Sequence, residues 1–128
     1  MHITRAADFA VRILLFLARN ERGTSKEIAQ KMQVPFNHLA KLVQTLAKKK
    51  LIISRKGKGG GLALALPPQK ITLLKVIEAI EGPILLSQCI FSKKVCCFGK
   101  KCKVRLCLSS AQEKLKETLS KGTISDLL

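Results

Sequence analysis

Apolar positions in the first third of the chain recur at helical spacing. Between residues 4 and 19, Phe9, Ile13, Phe16 and Leu17 fall at i, i+4, i+7 and i+8, which puts them on one helix face. Thr4 is suited to cap that helix, because its hydroxyl can accept from an amide left free in the first turn. Asn20 to Gly23 read as a turn. Thr24-Ser25-Lys26-Glu27 then has the spacing of a capping box, and Ile28, Ala29 and Met32 give the short helix after it a buried side. Val34-Pro35 ends that helix and starts a third, with Pro35 at its first position. Leu39, Leu42, Val43 and Leu46 form its buried stripe, running toward Lys49.

The period then changes. Leu51 to Arg55 has strand composition, Lys56 to Gly61 is a glycine-rich turn, and Leu62 to Leu66 alternates leucine with alanine before Pro67-Pro68 stops it. Two short helices joined by a tight turn and followed by a hairpin make the pattern of a winged helix-turn-helix. Beyond it Thr72 caps a helix with Leu73, Val76, Ile77 and Ile80 on one side, closed by Gly82-Pro83.

Residues 84–103 show no period and read as a long loop. The last helix starts between Lys103 and Ser110, with Ser110-Ala111-Gln112-Glu113 as a second capping box. Leu108, Ala111, Leu115 and Leu119 form a narrow stripe suited to pairing with another helix. The expected fold class is mainly α with a small β-hairpin. A winged helix-turn-helix domain covers residues 1–83, a cysteine-rich loop 84–103, and a dimerisation helix with its tail 104–128.

Charge narrows the partner. The chain has 128 residues, with 24 Lys and Arg against 8 Asp and Glu, a net charge of +16. That length holds one domain with one modest core and leaves no room for a separate catalytic domain. Such a surplus seeks a polyanion: nucleic acid first, an anionic membrane surface second. There is no Trp or Tyr and there are five Phe, too few stacking platforms for a typical single-strand or RNA reader, so duplex DNA is the expected partner. The most apolar stretch, Ala6 to Ala18, contains Asp8 and Arg12 and is too short to span a bilayer; it does not read as an export signal either. The expected compartment is the cytoplasm, which is reducing. No nucleotide loop or nucleophile–acid grouping accompanies the two His, so an enzyme is not expected.

The DNA-reading residues follow from the third helix. Asn37, Lys41, Gln44 and Lys48 recur opposite its leucines, and His38 flanks them near the helix start. Amide and cationic side chains in the first turns of such a helix suit base edges and nearby phosphates. In the hairpin, Arg55, Lys56 and Lys58 surround glycines, including Gly59 and Gly60, that let backbone approach a phosphate or enter the minor groove. Lys26, at the start of the second helix, is an expected phosphate contact. The run Lys48-Lys49-Lys50 reads equally as a solvated face.

The cysteines are clustered. Cys89, Cys96, Cys97, Cys102 and Cys107 lie in one 19-residue window, an odd number in a reducing compartment, which points to metal or redox chemistry over disulfides. Thiolates suit iron–sulfur clusters. Lys93, Lys94, Lys100, Lys101, Lys103 and Arg105 share the window with no acid, and such cations favour thiolates and offset a cluster's negative charge. No C-x₂-C pair is present to favour zinc.

The combination resembles a known family. Met1-His2-Ile3-Thr4, Asp8-Phe9-Ala10-Val11-Arg12, Lys26-Glu27-Ile28-Ala29, the wing Arg55–Gly61, Ile71-Thr72-Leu73, Val76-Ile77, Glu81-Gly82-Pro83 and the cysteine loop resemble the Rrf-two family of bacterial winged-helix repressors, of the IscR, NsrR and RirA type. The resemblance spans nearly the whole chain. It implies a homodimer, joined through the last helix, that binds a palindromic operator. It also implies an iron–sulfur cluster (4Fe–4S or 2Fe–2S) on three loop cysteines, sensing nitric oxide, iron or redox state.

Cys89, Cys96 and Cys102 match the family's spacing, with six and then five residues between them. Cys97 is the close second to Cys96, and Cys107 a possible fourth ligand. The His that follows the third cysteine in one subgroup is replaced here by Lys103, Val104 and Arg105. Another subgroup completes the cluster with an aspartate of the first helix, which matches Asp8; an Asp8–Arg12 ion pair at i, i+4 is the rival role. Two departures are Ala40, where members often carry an acid on the recognition helix, and Gly61, where an aromatic often follows the wing glycines. The competing readings are a zinc or thiol redox switch on the same fold, an electron-carrying iron–sulfur protein, and an RNA-binding protein. The last would explain the charge but neither the wing nor the cysteines.

Overall fold

The computed structural model describes residues 2–92, 96–99 and 101–128. Helix α1 (Arg5–Asn20) begins where the pattern places it, with the Thr4 hydroxyl accepting from the Ala7 amide at 3.3 Å. Phe9, Ile13, Phe16 and Leu17 are all buried, joined by Ala7, Ala10 and Leu14, so α1 is the central post of the core. Helix α2 (Ser25–Met32) carries the full capping box: the Thr24 hydroxyl accepts from the Glu27 amide, and the Glu27 carboxylate accepts from the Thr24 amide at 2.9 Å. Those four atoms satisfy two donors that the first turn of any helix leaves open.

Helix α3 (Phe36–Lys48) sets Leu39, Leu42 and Leu46 into the core. Ile28 is buried from α2, whereas Ala29, Met32 and Val43 pack at the core margin and not inside it as the pattern predicts. Pro35 is the residue before the helix and not its first, with ψ at 131°. Its ring fixes φ without requiring helical ψ, so it directs the chain into α3 from outside.

The hairpin is part of a larger sheet. Strands β2 (Ile52–Arg55) and β3 (Gly61–Leu64) pair antiparallel, with Arg55 opposite Gly61 and Ile52 opposite Leu64. Strand β1 (Arg22–Gly23) adds to the other edge of β3, in a segment read from sequence as a turn. Two residues are too few to show a period of two. Gly23 is buried against the Phe16 ring, which a Cβ at this position would meet, so glycine lets β1 lie close on α1. β3 ends at Leu64, short of the expected Leu66, and a 3₁₀ turn at Pro68–Lys70 follows.

Helix α4 (Leu73–Glu81) has the expected Thr72 cap and Gly82 end, with Val76 and Ile77 buried. The segment after it is not wholly irregular: Ser87 caps a four-residue helix α5 (Gln88–Phe91). Helix α6 (Lys103–Lys121) begins directly after Cys102, so Ser110–Glu113 lies in its interior and does not act as a capping box. The first-turn amides there are already spent on the helix ladder, and a capping sequence inside a helix has nothing to cap.

The α6 stripe is incomplete within one chain. Leu108, Leu115 and Leu119 are half-buried, Ala111 is exposed, and the buried residue of α6 is Gln112. Beyond α6 the tail folds back on the core. Ile124 is buried, its amide donates to the Ile71 carbonyl at 2.8 Å, and the Leu73 amide donates to Gly122 at 2.9 Å. Among the described residues no helix is long and apolar enough to cross a membrane.

Candidate nucleic-acid interface and cysteine site

The α2–α3 pair and the sheet present two groups of cations on the surface. Asn37, His38, Lys41, Gln44 and Lys48 are all exposed, opposite the leucines that bury α3. The core thus fixes which way the helix faces, and with it the direction of these side chains. His38 meets the Phe9 ring edge-on at 6.1 Å, so the first turn of α3 leans on α1. Lys26 is exposed in the first turn of α2.

At the wing, Arg55, Lys56 and Lys58 are exposed around a turn in which the Gly60 amide donates to the Gly57 carbonyl at 2.9 Å. A Cβ at Gly60 would collide with the Arg55 carbonyl, so the turn closes this tightly only without a side chain there. Arg22, on β1, is absent from the sequence reading of this face. Its Nη1 donates to the Gly59 carbonyl at 2.8 Å, a contact across 37 residues that local pattern cannot reveal.

The cysteines sit on the α5–α6 segment as free thiols. Cys89 lies in α5, where its sulfur shares a hydrogen bond with the Ser87 hydroxyl at 3.0 Å. Cys96 and Cys97 are exposed on a turn closed by the Gly99 amide on the Cys96 carbonyl at 2.9 Å. The Phe98 amide, and then the Cys97 thiol, hold the Cys96 thiol below its ordinary pKa. Cys102 is half-buried before α6, and Cys107 is exposed on it. Among the described residues, no three His, Cys, Asp or Glu side chains gather closely enough to hold a metal ion. Lys101, Lys103 and Arg105 flank the thiols, while Lys93, Lys94 and Lys100 lie outside the described residues.

Asp8 is exposed and forms the i, i+4 ion pair with Arg12 at 2.9 Å. Arg12 also reaches the Met32 carbonyl at the end of α2, at 3.4 Å. The segment before Cys89 is tied to α6, since the Leu86 amide donates to the buried Gln112 at 3.0 Å.

Comparison with known proteins agrees with this layout. A family model described as "Rrf2: Iron-dependent Transcriptional regulator" matches residues 3–128. The chain belongs to the Rrf2 (Rrf-two) family. An Rrf2-type relative, the HTH-type transcriptional regulator NsrR of Geobacillus kaustophilus, is 31% identical over all of this chain and 90% of its own. Among solved structures, CymR, the global cysteine regulator of B. subtilis, superposes with a TM-score of 0.80 at 27% identity, over 99% of this chain and 95% of that one. T. potens IscR, at 20% identity, shares the fold with a TM-score of 0.81, over 99% and 85%. The Rrf2 chain described here is a DNA-binding transcriptional regulator of winged-helix type, and its relatives are regulators rather than enzymes.

Proposed function

We propose that this regulator is a homodimeric repressor whose grip on a palindromic operator is set by an iron–sulfur cluster (4Fe–4S or 2Fe–2S). The observation that carries the reading is the ordered set Cys89, Cys96 and Cys102 on one segment, in a chain matched almost end to end by an iron-dependent regulator family. The donors fit such a group by chemistry: free thiols, one already shifted toward thiolate, beside cations that offset negative charge. Cys89, Cys96 and Cys102 would hold the cluster, which would supply a centre that nitric oxide, iron loss or oxidation can dismantle. The α5–α6 segment has to draw its thiols together to do so, since they are not gathered in the single chain.

Asp8 is the proposed fourth ligand, contributed by the second copy. To serve, its carboxylate must leave Arg12, and the same guanidinium reaches the last carbonyl of α2. Ligand exchange at Asp8 thereby touches the helix-turn-helix directly. On the DNA side, Asn37, His38, Lys41 and Gln44 read the major groove, while Lys26, Arg55, Lys56, Lys58 and the amides near Gly59 and Gly60 meet phosphate. The stripe of α6, unfilled in one chain, is the dimer seam.

A thiol switch on the same fold is the second reading, favoured by the adjacent exposed pair Cys96–Cys97 and the acidity of Cys96. One preparation separates the two. Protein purified without oxygen is assayed for visible absorbance, iron and sulfide, and for binding to a duplex enriched from a randomised library, before and after nitric oxide or an iron chelator. A coloured protein that loses DNA on either treatment supports the cluster. A colourless protein that responds to peroxide and recovers with dithiothreitol supports the thiol switch.

A further inference from the structure

The wing tip poses a physical problem. Gly57, Gly59, Gly60 and Gly61 leave its backbone with more conformations than any other stretch of the chain, and each must be frozen out before Arg55, Lys56 and Lys58 can meet DNA in one arrangement. The hairpin's own bond, Gly60 to Gly57, closes the turn but does not tie it to the rest of the molecule. The tie comes from Arg22.

Arg22 is paired opposite Ala63 in the sheet, and its neighbour Gly23 is pressed against Phe16 of the core. From that fixed backbone the guanidinium reaches across to the Gly59 carbonyl at 2.8 Å. Arg22, Arg55, Gly59 and Gly60 line one groove of about 320 Å³, with Glu21 and Ile53 at its sides. A continuous path thus runs from the α1 core, through β1, to the tip of the wing.

We propose that Arg22 is a positioning residue for the wing, holding the Gly59 carbonyl so that the cations of the tip are presented to DNA already ordered. In this role its Nη1 acts through the Gly59 carbonyl and the wing backbone, and the salt slope of binding distinguishes that from a direct phosphate contact. The proposal rests on the wing being a DNA-contacting element. Ordering before contact lowers the entropy lost on binding, which is how a residue that need not touch DNA raises affinity.

The test compares Arg22→Ala, Arg22→Lys and Lys58→Ala in the full chain. Two readouts are used: amide exchange of residues 57–60 in the free protein, and affinity for a library-enriched duplex across a salt series. Arg22→Ala should speed exchange at the tip and weaken binding about three- to tenfold, with the salt slope unchanged. Arg22→Lys, which keeps one donor within reach, should restore both. Weakened binding with a smaller salt slope and unaltered exchange would make Arg22 a phosphate contact and overturn the proposal. Unchanged exchange in Arg22→Ala overturns it outright. If Lys58→Ala weakens binding and Arg22→Ala does not, the positioning role alone fails. If neither does, the wing does not meet DNA and that reading fails with it.

Discussion

The DNA-reading module and the cysteine segment carry comparable charge and are built in opposite ways. Residues 23–66 hold nine cations against one acid, and residues 89–106 hold six cations and no acid. In the first region, Ile28, Leu39, Leu46, Leu51 and Ile52 are buried in the core, and the exposed stripe of α3 is held by the leucines packed on it. In the second, Phe91 and Phe98 are 78% and 74% exposed, and Val104 and Leu106 are exposed as well. A surface that must match a rigid duplex profits from being formed in advance. A segment proposed to close on a ligand and open again fits the weakly held part of the fold.

Substitutions of equal size should therefore act very differently in the two regions. Leu46→Ala empties a fully buried position and should cost about 2–5 kcal/mol in urea unfolding, enough to cripple this small core. Phe98→Ala removes a larger side chain, yet should move stability by less than ~0.5 kcal/mol. Equal losses would erase the contrast.

Next in size is Gly60→Ala, whose Cβ meets the Arg55 carbonyl. Duplex affinity should fall about tenfold, equivalent to ~1.4 kcal/mol, while the melting temperature stays close to that of the parent. A large melting shift would show that the wing is bound up with the core after all.

The α2 cap gives a smaller, pH-dependent effect. Thr24→Ala should lose about 1 kcal/mol. The Thr24 amide, as main donor, holds the Glu27 carboxyl below its ordinary pKa of 4.5. The folded value is thus the lower one: the contribution is present above the ordinary value and is lost as pH falls through the folded value. Glu27→Gln should flatten stability across that acidic window, and an unaltered pH profile would refute the role of the charge.

Smallest is Asp8→Asn, which breaks an exposed pair worth about 0.3–0.5 kcal/mol. Chemical unfolding should barely register it. If Asp8 ligates the proposed cluster, the cluster's lifetime in the anaerobic protein should shorten clearly; an unchanged lifetime would leave Asp8 with its ion pair alone.

Much of the fold is legible in the sequence alone, for local reasons. The Thr4, Thr24 and Thr72 caps and the apolar face of α1 depend on neighbours within a turn or two, and all appear where the pattern puts them. The errors are instructive in the same terms. Ser110–Glu113 has the residues of a cap but lies seven residues inside α6, because where a helix starts depends on what precedes it. Strand β1 reads as a turn in the sequence because its pairing partners, Leu62 and Ala63, lie about forty residues away.

The sequence by itself determined the helix-turn-helix order, the exposed cationic stripe of α3, the glycine wing and the gathering of five thiols in one window. Each is a matter of residue type and short spacing, which chain chemistry settles alone. Only the tertiary structure decided that a third strand backs the wing, that Arg22 reaches Gly59, that Arg12 joins Asp8 to the end of α2, and that the tail returns to bury Ile124. These contacts join residues 20 or more positions apart, and nothing in local spacing favours one such pairing over another until the core brings them together.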